Sequence, residues 1–419
     1  VARISIVRYE FGDFVLDVSR RVLLRSGEPV ALAPKALELL IALVERPAAV
    51  LSKREILARV WPDTFVEEAN VAQNISLLRK AIGDLIVTIP RSGYRFGGTV
   101  RAVTDFDDRQ AFHDYIRGRH HWNKRTRADL ERAFEYATKA AEADPTYARA
   151  QLGLADTYNL LGGQHAMVAP RTAFPRARAA ALRALEIDEN CGEAYASLAF
   201  VNCWYDRDHE EAERNFRRAI ELKPAYATSY HWWAEALASA GRFDDSFARF
   251  DTAMALDPLS SAIRTDFGVA LSLAGDYARA ETVIGEVLRF DPAFARAWIG
   301  LAMNHERKHE YVRALECVRR ALEYDPQSPS SIALEARLLA VQSKRSDARA
   351  GLRHLETLAK TVHVVSCDLA TVYASLGESQ RAGELLEAAL ADREPHLTWL
   401  AVDSRYFSFH IPHSFMAGS

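Results

Sequence analysis

The sequence predicts two unlike parts: an α+β head over residues 1–98, and an all-α superhelix of repeated helical pairs over residues 110–395. Three observations carry this. Short apolar strands alternate with turns over residues 7–32, ahead of three helix-like stretches and a closing hairpin. Prolines recur at Pro224, Pro258, Pro292 and Pro326, each gap being 34 residues. Between them in character, "NVAQNISLLRKAIGDLIVTIPRSGYRF" (Asn70 to Phe96) pairs an apolar back with a polar outer side. Val71, Ile75, Leu78 and Ile82 recur at helical spacing, while Gln73, Asn74, Ser76 and Lys80 face away from them.

A chain of 419 residues is long for one domain. Its 49% apolar and 26% charged content are those of an ordinary globular protein. No apolar run approaches the roughly 20 residues that cross a bilayer. "ALELLIALVERPAAVL" is interrupted by Glu38, Glu45 and Arg46. The first residues lack the apolar core and cleavage site of a signal peptide. The chain begins with Val, so the native start is expected upstream or at an unusual codon. Cys191, Cys203, Cys317 and Cys367 form no Cys-x-x-Cys pair, and reduced thiols in a cytoplasmic protein are expected. Formal charge is −3 overall, but residues 1–100 carry 14 Lys/Arg against 11 Asp/Glu, and the remainder 39 against 45. A mildly basic head on an acidic body permits a local anionic partner.

Element by element, "RYEFGDFVLD" and "RVLLRSGEPVAL" read as strands, with a turn at Ser26-Gly27-Glu28. Pro34 opens the first helix, "PKALELLIALVERP". Ser52 caps the second, "SKREILARVW", with Glu55 three residues on as a capping box. The third ends at Gly83-Asp84, and "LIVTIPRSGYRF" supplies a hairpin with Arg91 and Arg95.

Taken together, "LAPKALELL", "VLSKREILARVWPD", "NVAQNISLLRKAIGD" and "TIPRSGYRF" resemble the OmpR/PhoB-type winged helix-turn-helix over residues 7–98. The nearest class is the CadC/HilA-like one, where no phospho-acceptor receiver precedes this head. The sequence departs from the family pattern at Ala36, usually Glu, and at Pro90, where an Arg is common in the wing. The resemblance implies that the third helix enters the major groove of double-stranded promoter DNA. Asn74, Ser76 and Leu77 would face bases, flanked by Gln73 and Lys80. Asn and Gln suit adenine, and Leu77 a thymine methyl. Arg79, Arg91 and Arg95 would hold phosphates or the minor groove, and Thr88 a backbone oxygen; Arg79 serves equally well as a structural partner. The loop "WPDTFVEEAN" carries Asp63, Glu67 and Glu68. It would contact RNA polymerase, or equally act as a spacer whose acids favour the next helix N-terminus.

After a linker at 99–109, the 34-residue period resembles the tetratricopeptide repeat. In one unit Phe267-Gly268 fills the close-approach position of the first helix and Ala280 that of the second, with Ile284 and Val287 packing. The next has Trp298, Leu301, Ala302, Ala314, Val318 and Ala321 in those places, and the one before has Tyr230, Trp233, Ala234, Phe250 and Ala253. A proline then stops the second helix. About eight helical pairs are expected, with about ten inserted residues in "GGQHAMVAPRTAFP" (near 163–176) between two helices. Residues 396–419 read as a cap over the last apolar face.

First helices of such arrays line a concave surface. The proline register places Arg149, Asp156, Asn159, His231, Glu235, Arg296, Met303 and Glu306 there, solvated or contacting a partner. Their mixed charge suits a protein, peptide or small ligand, and neither His231 nor Glu235 is expected to pack between helices. "HERKH" at His305–His309 matches the zincin spacing. The repeat register puts His305 near a helix end and His309 in the following turn, so no shared metal face is expected. No Walker loop, dinucleotide loop, or nucleophile with a base is assembled, so neither enzyme activity nor a cofactor is expected. The favoured expectation is a cytoplasmic DNA-binding transcriptional regulator without membrane contact, its repeat array receiving a signal. The rivals are a protein-docking scaffold and a metalloprotease built on "HERKH".

Overall fold

The structure, a computed structural model, describes residues 8–18, 21–25, 28–62, 68–103, 110–163, 165–400 and 402–403. It divides into two compact units, residues 1–108 and 109–419.

In the first unit, β1 (Arg8–Phe11), β2 (Phe14–Asp17), β3 (Val22–Arg25) and β4 (Glu28–Val30) form an antiparallel meander. Gly12 turns the first hairpin at φ 54°, a region that costs glycine nothing. Ser26 and Gly27 lie outside the described residues, but Arg25 pairs with Glu28 across that turn. Three helices follow: α1 (Pro34–Val44), α2 (Lys53–Val60) and α3 (Glu68–Ile82). Pro34 supplies the pre-set φ of a first helical turn. Ser52 and Glu55 satisfy each other's backbone N–H in a reciprocal cap. Gly83, at φ 72°, ends α3. β5 (Ile86–Ile89) and β6 (Gly93–Phe96) then close a second, two-stranded sheet.

The segment expected as linker contains a strand. β7 (Arg101–Val103) pairs with β1, giving the sheet order β4-β3-β2-β1-β7. The head therefore extends past residue 98. The reason is physical: β1 would otherwise present an edge of unpaired N–H and C=O groups.

One apolar core joins these elements. Phe11, Phe14 and Leu16 from the sheet meet Leu39, Leu40 and Leu43 of α1 and Val71, Ile75, Leu78 and Ile82 of α3. Ile86, Tyr94 and Phe96 of the hairpin enter the same cluster. The hairpin is also tied by backbone: Leu51 N–H donates to Tyr94 O at 2.8 Å, and Tyr94 N–H to Leu51 O at 2.9 Å.

The second unit is helical throughout its described residues. Its helices are α4 (Gln110–Lys124), α5 (Arg127–Ala143), α6 (Ala148–Gly162), α7 (Pro170–Ile187), α8 (Gly192–Val201), α9 (His209–Leu222), α10 (Ala227–Ser239) and α11 (Phe243–Leu256). They continue as α12 (Ser261–Leu273), α13 (Tyr277–Phe290), α14 (Ala295–Arg307), α15 (Tyr311–Tyr324), α16 (Pro329–Val341), α17 (Arg345–Leu358), α18 (Ser366–Ser375) and α19 (Ser379–Ala391). Successive helices pack as eight pairs.

The 34-residue period is the packing. Ala234, Ala302 and Ala336 are buried where paired backbones approach. Gly268 takes the same position; a Cβ there would fall 2.3 Å from Ile284 Cγ1. Ala212, Ser246, Ala280, Ala314, Ala348 and Ala382 are their buried counterparts on the second helices. Phe216, Phe250, Ile284, Val318, Leu352 and Leu386 fill the gap behind. The series continues past Pro326, where the prolines cease.

Two irregularities matter. The stretch expected as an inter-helix insertion is half helix: α7 begins at Pro170 and carries Pro175 within it. Among the described residues, 163 and 165–169 form a loop, pinned by Met167 N–H and Val168 N–H on Leu161 O. A π-helical turn, Asn202–Asp206, extends α8 and carries Trp204, which is buried, and Tyr205 beside it.

The C-terminal segment does more than cover the eighth pair. A 3-10 turn at Pro395–Trp399 places Leu397 in a cluster with Val365, Cys367, Leu386 and, from the loop before α7, Ala166. Trp399 stacks on Trp204 at 5.4 Å between centroids. Arg171 donates to Ala391 O, and the Arg393 guanidinium lies over Tyr205. The last pair is thus clasped to the second and third. Residues 404–419 lie outside the described residues.

Gly93 sits at φ 136°, with the position of a Cβ only 2.0 Å from Leu51 O. Gly93→Ala is expected to break the Leu51–Tyr94 bridge and to cost about 2–4 kcal/mol. Hydrogen exchange on the intact chain would show this as lost protection across β5 and β6; unchanged protection would refute it.

Candidate functional site

The exposed side of α3 is defined by what its other side buries. Val71, Ile75, Leu78 and Ile82 are at most 4% exposed. That leaves Gln73, Ser76, Leu77 and Lys80 in solvent, at i, i+3, i+4 and i+7, on one helical stripe. Leu77 is 42% exposed, an apolar group between polar ones. Asn74 sits at the margin, half-buried, its amide donating to Asn70 O at 2.8 Å.

Beside α3, the hairpin turn presents Arg91, exposed and at φ 65°. Arg95, opposite Val87 in the ladder, is half-buried. Arg79 is placed differently from the phosphate-facing role. Its guanidinium donates to Ile86 O at 2.8 and 3.1 Å and to Thr88 Oγ1 at 2.7 Å. It fastens the hairpin to the helix, and Thr88 is its acceptor. Glu68 is exposed and pairs with Lys53 at 2.9 Å. Asp63 and Glu67 lie outside the described residues.

In the second unit, most of the residues expected on a solvated groove are buried. Asp156 and Asn159 are both 0% exposed. Asp156 accepts from Arg119 at 2.7 Å, from Tyr226 OH at 3.1 Å and from Ser197 Oγ, binding the first four pairs together. Asn159 donates to Ser197 O. Glu306 is buried against Arg337. Arg149 is half-buried, and Met303 and Arg296 line a half-open cavity.

His231 and Glu235 are 3% and 4% exposed, which overturns the expectation that neither packs between helices. His231 Nε2 lies 2.9 Å from Asp266 Oδ2, and Arg296 donates to Asp266 Oδ1. Glu235 lies 3.8 Å from both His231 and Arg296. Three successive first helices, α10, α12 and α14, are stitched through this cluster. Burial, with Asp266 beside it, pushes the Glu235 carboxyl up to about 7. Burial acts the same way on Asp266, but Arg296 and His231 overcome it and hold that group below its usual value. The ligand atoms of His231, Glu235 and Asp266 lie within 4.8 Å of one another, a spacing a metal ion could use. The Arg296 guanidinium already supplies the positive charge there.

The "HERKH" histidines have separate partners. His305 Nδ1 meets Glu310 at 2.8 Å, and His309, at φ 60° in the turn, meets Tyr311 OH at 2.8 Å.

Sequence reading missed Asp266, Arg119 and Arg125. For Asp266 the available signal was a carboxylate set against the apolar run "FGVALSL" of a first helix; Arg119 and Arg125 lie in and after the polar α4 and carried no such signal. Such a charge is either paired or expelled.

A three-helix unit whose third helix shows a polar stripe beside a basic hairpin is a winged helix-turn-helix, and it is followed by a tetratricopeptide-repeat array. Residues 27–96 match the family described as the C-terminal part of transcriptional regulatory proteins, making the head an OmpR/PhoB-type domain. Residues 237–303 and 271–338 match the tetratricopeptide repeat. The transcriptional regulatory protein CutR of Streptomyces coelicolor is 37% identical over 83 residues, which are 19% of this chain and 38% of CutR. The transcriptional regulator HilA of Salmonella typhimurium is 32% identical over 106 residues, 24% of this chain and 19% of HilA. The solved DNA-binding domain of E. coli CadC is 28% identical and is covered completely by 24% of this chain, with a TM-score of 0.22. The chain thus spans well under half the length of these curated relatives.

Glu235 has a titration consequence. Folded, it keeps its proton to about pH 7; unfolded, it releases it near 4.5. Between those values the native state holds the extra proton, so this contribution to stability falls as pH rises. Desolvation holds His165 well below its usual value, which gives the opposite slope on the acid side of 6.5. The comparison of wild type with Glu235→Gln isolates the first. The variant should gain relative stability from pH 5 to 8, on the order of 3 kcal/mol at most. Urea unfolding across that range would check it; a constant difference would refute it.

Proposed function

We propose that this chain is a sequence-specific, DNA-binding transcriptional regulator acting in the cytoplasm, with a repeat array that receives a signal. The observation that carries it is the stripe Gln73, Ser76, Leu77 and Lys80 on a helix locked by four buried apolar residues, beside a hairpin bearing Arg91. A helix so held can enter a major groove without spending its own packing. Gln73 and Ser76 offer donors and acceptors to base edges, and Leu77 offers an apolar contact to a thymine methyl. Asn74 joins them on release of its bond to Asn70. Lys80, Arg91 and Arg95 would supply phosphate contacts, which position without specifying. Arg79 serves indirectly, by fixing the wing to the helix. The array fits the reception of a protein, peptide or small ligand.

Two measurements test the reading. Arg91→Ala and Arg95→Ala should weaken binding on every sequence and reduce the salt slope by about 1 each. Gel shifts across a salt series read this, and unchanged slopes would remove the wing from the interface. Ser76→Ala and Gln73→Ala should instead change sequence preference, at roughly 1–3 kcal/mol per lost base contact. Selection from random duplexes returning one identical site for both variants would show that α3 does not read bases.

A further inference from the structure

The second unit holds a half-open cavity of about 830 Å³. Its wall comes from the α4–α5 turn, the loop before α7, the first helices α10 to α16, and the C-terminal 3-10 turn. This volume lies in the range of small-molecule sites. We propose that the cavity binds a small organic monocarboxylate, its charge on Arg125 and its apolar body against Ile299, Met303 and Leu334. This deepens the reading of the array as the receiving part.

Arg125 carries the argument. It occupies the turn between α4 and α5 at φ 59°, and its guanidinium lies 3.5 Å from the centroid of Trp122. Arg119 lies against the same ring at 4.1 Å. Arg119 is neutralised by Asp156. Arg125 has no carboxylate within ion-pair distance among the described residues, although it lines the cavity. The acids whose charge bears on it, Asp266 and Glu235, are committed elsewhere. Both oxygens of Asp266 are engaged, one by Arg296 and one by His231. Glu235 retains its proton to about pH 7.

Arg125 is thus a guanidinium in the wall without an ion-pair partner among the described residues. Burial, and then the like charges of Arg296 and Arg119, depress Arg125 to about 9. Burial, and then the charges of Arg296 and Arg125, hold His165 on that wall well below its usual value. A cation so placed is stabilised by any anion that reaches it. The planar fork of a guanidinium matches a carboxylate bidentately.

Two further features narrow the class. Glu131, Asp325 and Asp368 also line the cavity, so a dianion would meet repulsion that a single charge largely avoids. One part of the wall is apolar: Phe250, Val269, Ile299, Met303, Leu334 and Trp399. A free inorganic anion would leave that surface uncovered. A carboxylate with a hydrocarbon or aromatic body satisfies both.

The test uses the purified full chain and isothermal titration. Three carboxylates serve as probes: 3-phenylpropionate, indole-3-acetate and hexanoate. The neutral 3-phenylpropionamide controls for charge, and phenyl phosphate for a dianion. At least one carboxylate should bind, and 3-phenylpropionate about ten-fold or more tighter than its amide and than phenyl phosphate. Arg125→Gln should lose that preference and should not lower the melting temperature of the free chain, because it removes a repelled charge. Arg125→Lys should keep part of it. Ile299→Trp, which fills the cavity and leaves Arg125 in place, should abolish binding. Failure of all three carboxylates, equal binding of acid and amide, tighter binding of phenyl phosphate, or an Arg125→Gln variant that binds as wild type would each overturn the proposal. Gel shifts on the same preparations keep the two readings apart. Loss of DNA binding with probe binding intact would strike the proposed function alone, and the converse would strike the cavity alone.

Discussion

A pair of helices has more apolar surface than one neighbour can cover, and the second unit is the consequence of that excess. Each pair must be backed by the next, and backbones must come close enough to seal the joint. Hence the alanines and the single glycine at 34-residue intervals, and the aromatic or branched side chain behind each. Everything else in the array, including the cavity, is arranged around the bend this stacking produces. The head solves the same problem within one small core. There a single cluster holds the sheet, three helices and the hairpin, so that α3 has only one face left to offer.

Buried polar groups are where the two units differ. The head core is almost purely apolar, with Arg79 spanning from α3 to Ile86 O and Thr88 near its surface. The array places carboxylates and guanidinium groups between its first helices, each matched to a partner one or more pairs away. Asp156 reaches Arg119, Ser197 and Tyr226, and Asp266 reaches His231 and Arg296. Apolar stacking alone would tolerate sliding of one pair on the next. A buried charge that finds its partner in only one register does not.

Much of the architecture was legible in the sequence, because it is periodic or locally signalled. Pro34, the Ser52–Glu55 cap and Gly83 each mark a helix end by a local mechanism, and the structure has helix ends there. The polar stripe of α3 followed from helical spacing alone. What was not legible depends on distant partners. β7 is three residues long, and only the open edge of β1 makes it a strand. His231 and Glu235 look like groove residues in the repeat register, yet Asp266 and Arg296 bury them from neighbouring pairs. The loop before α7 gave no hint that Ala166 would meet Val365 and Leu397.

The contact of the C-terminal segment with Trp204, Tyr205 and Arg171 changes how this array comes apart. An open stack of helical pairs unravels from its ends, each terminal pair being held on one side only, and its melting spreads over a range of conditions. Here the eighth pair is held from two sides, by the seventh pair and by the clasp. The eighth pair therefore loses the freedom to fray singly. Loosening of the eighth pair then requires the parting of Trp399 from Trp204.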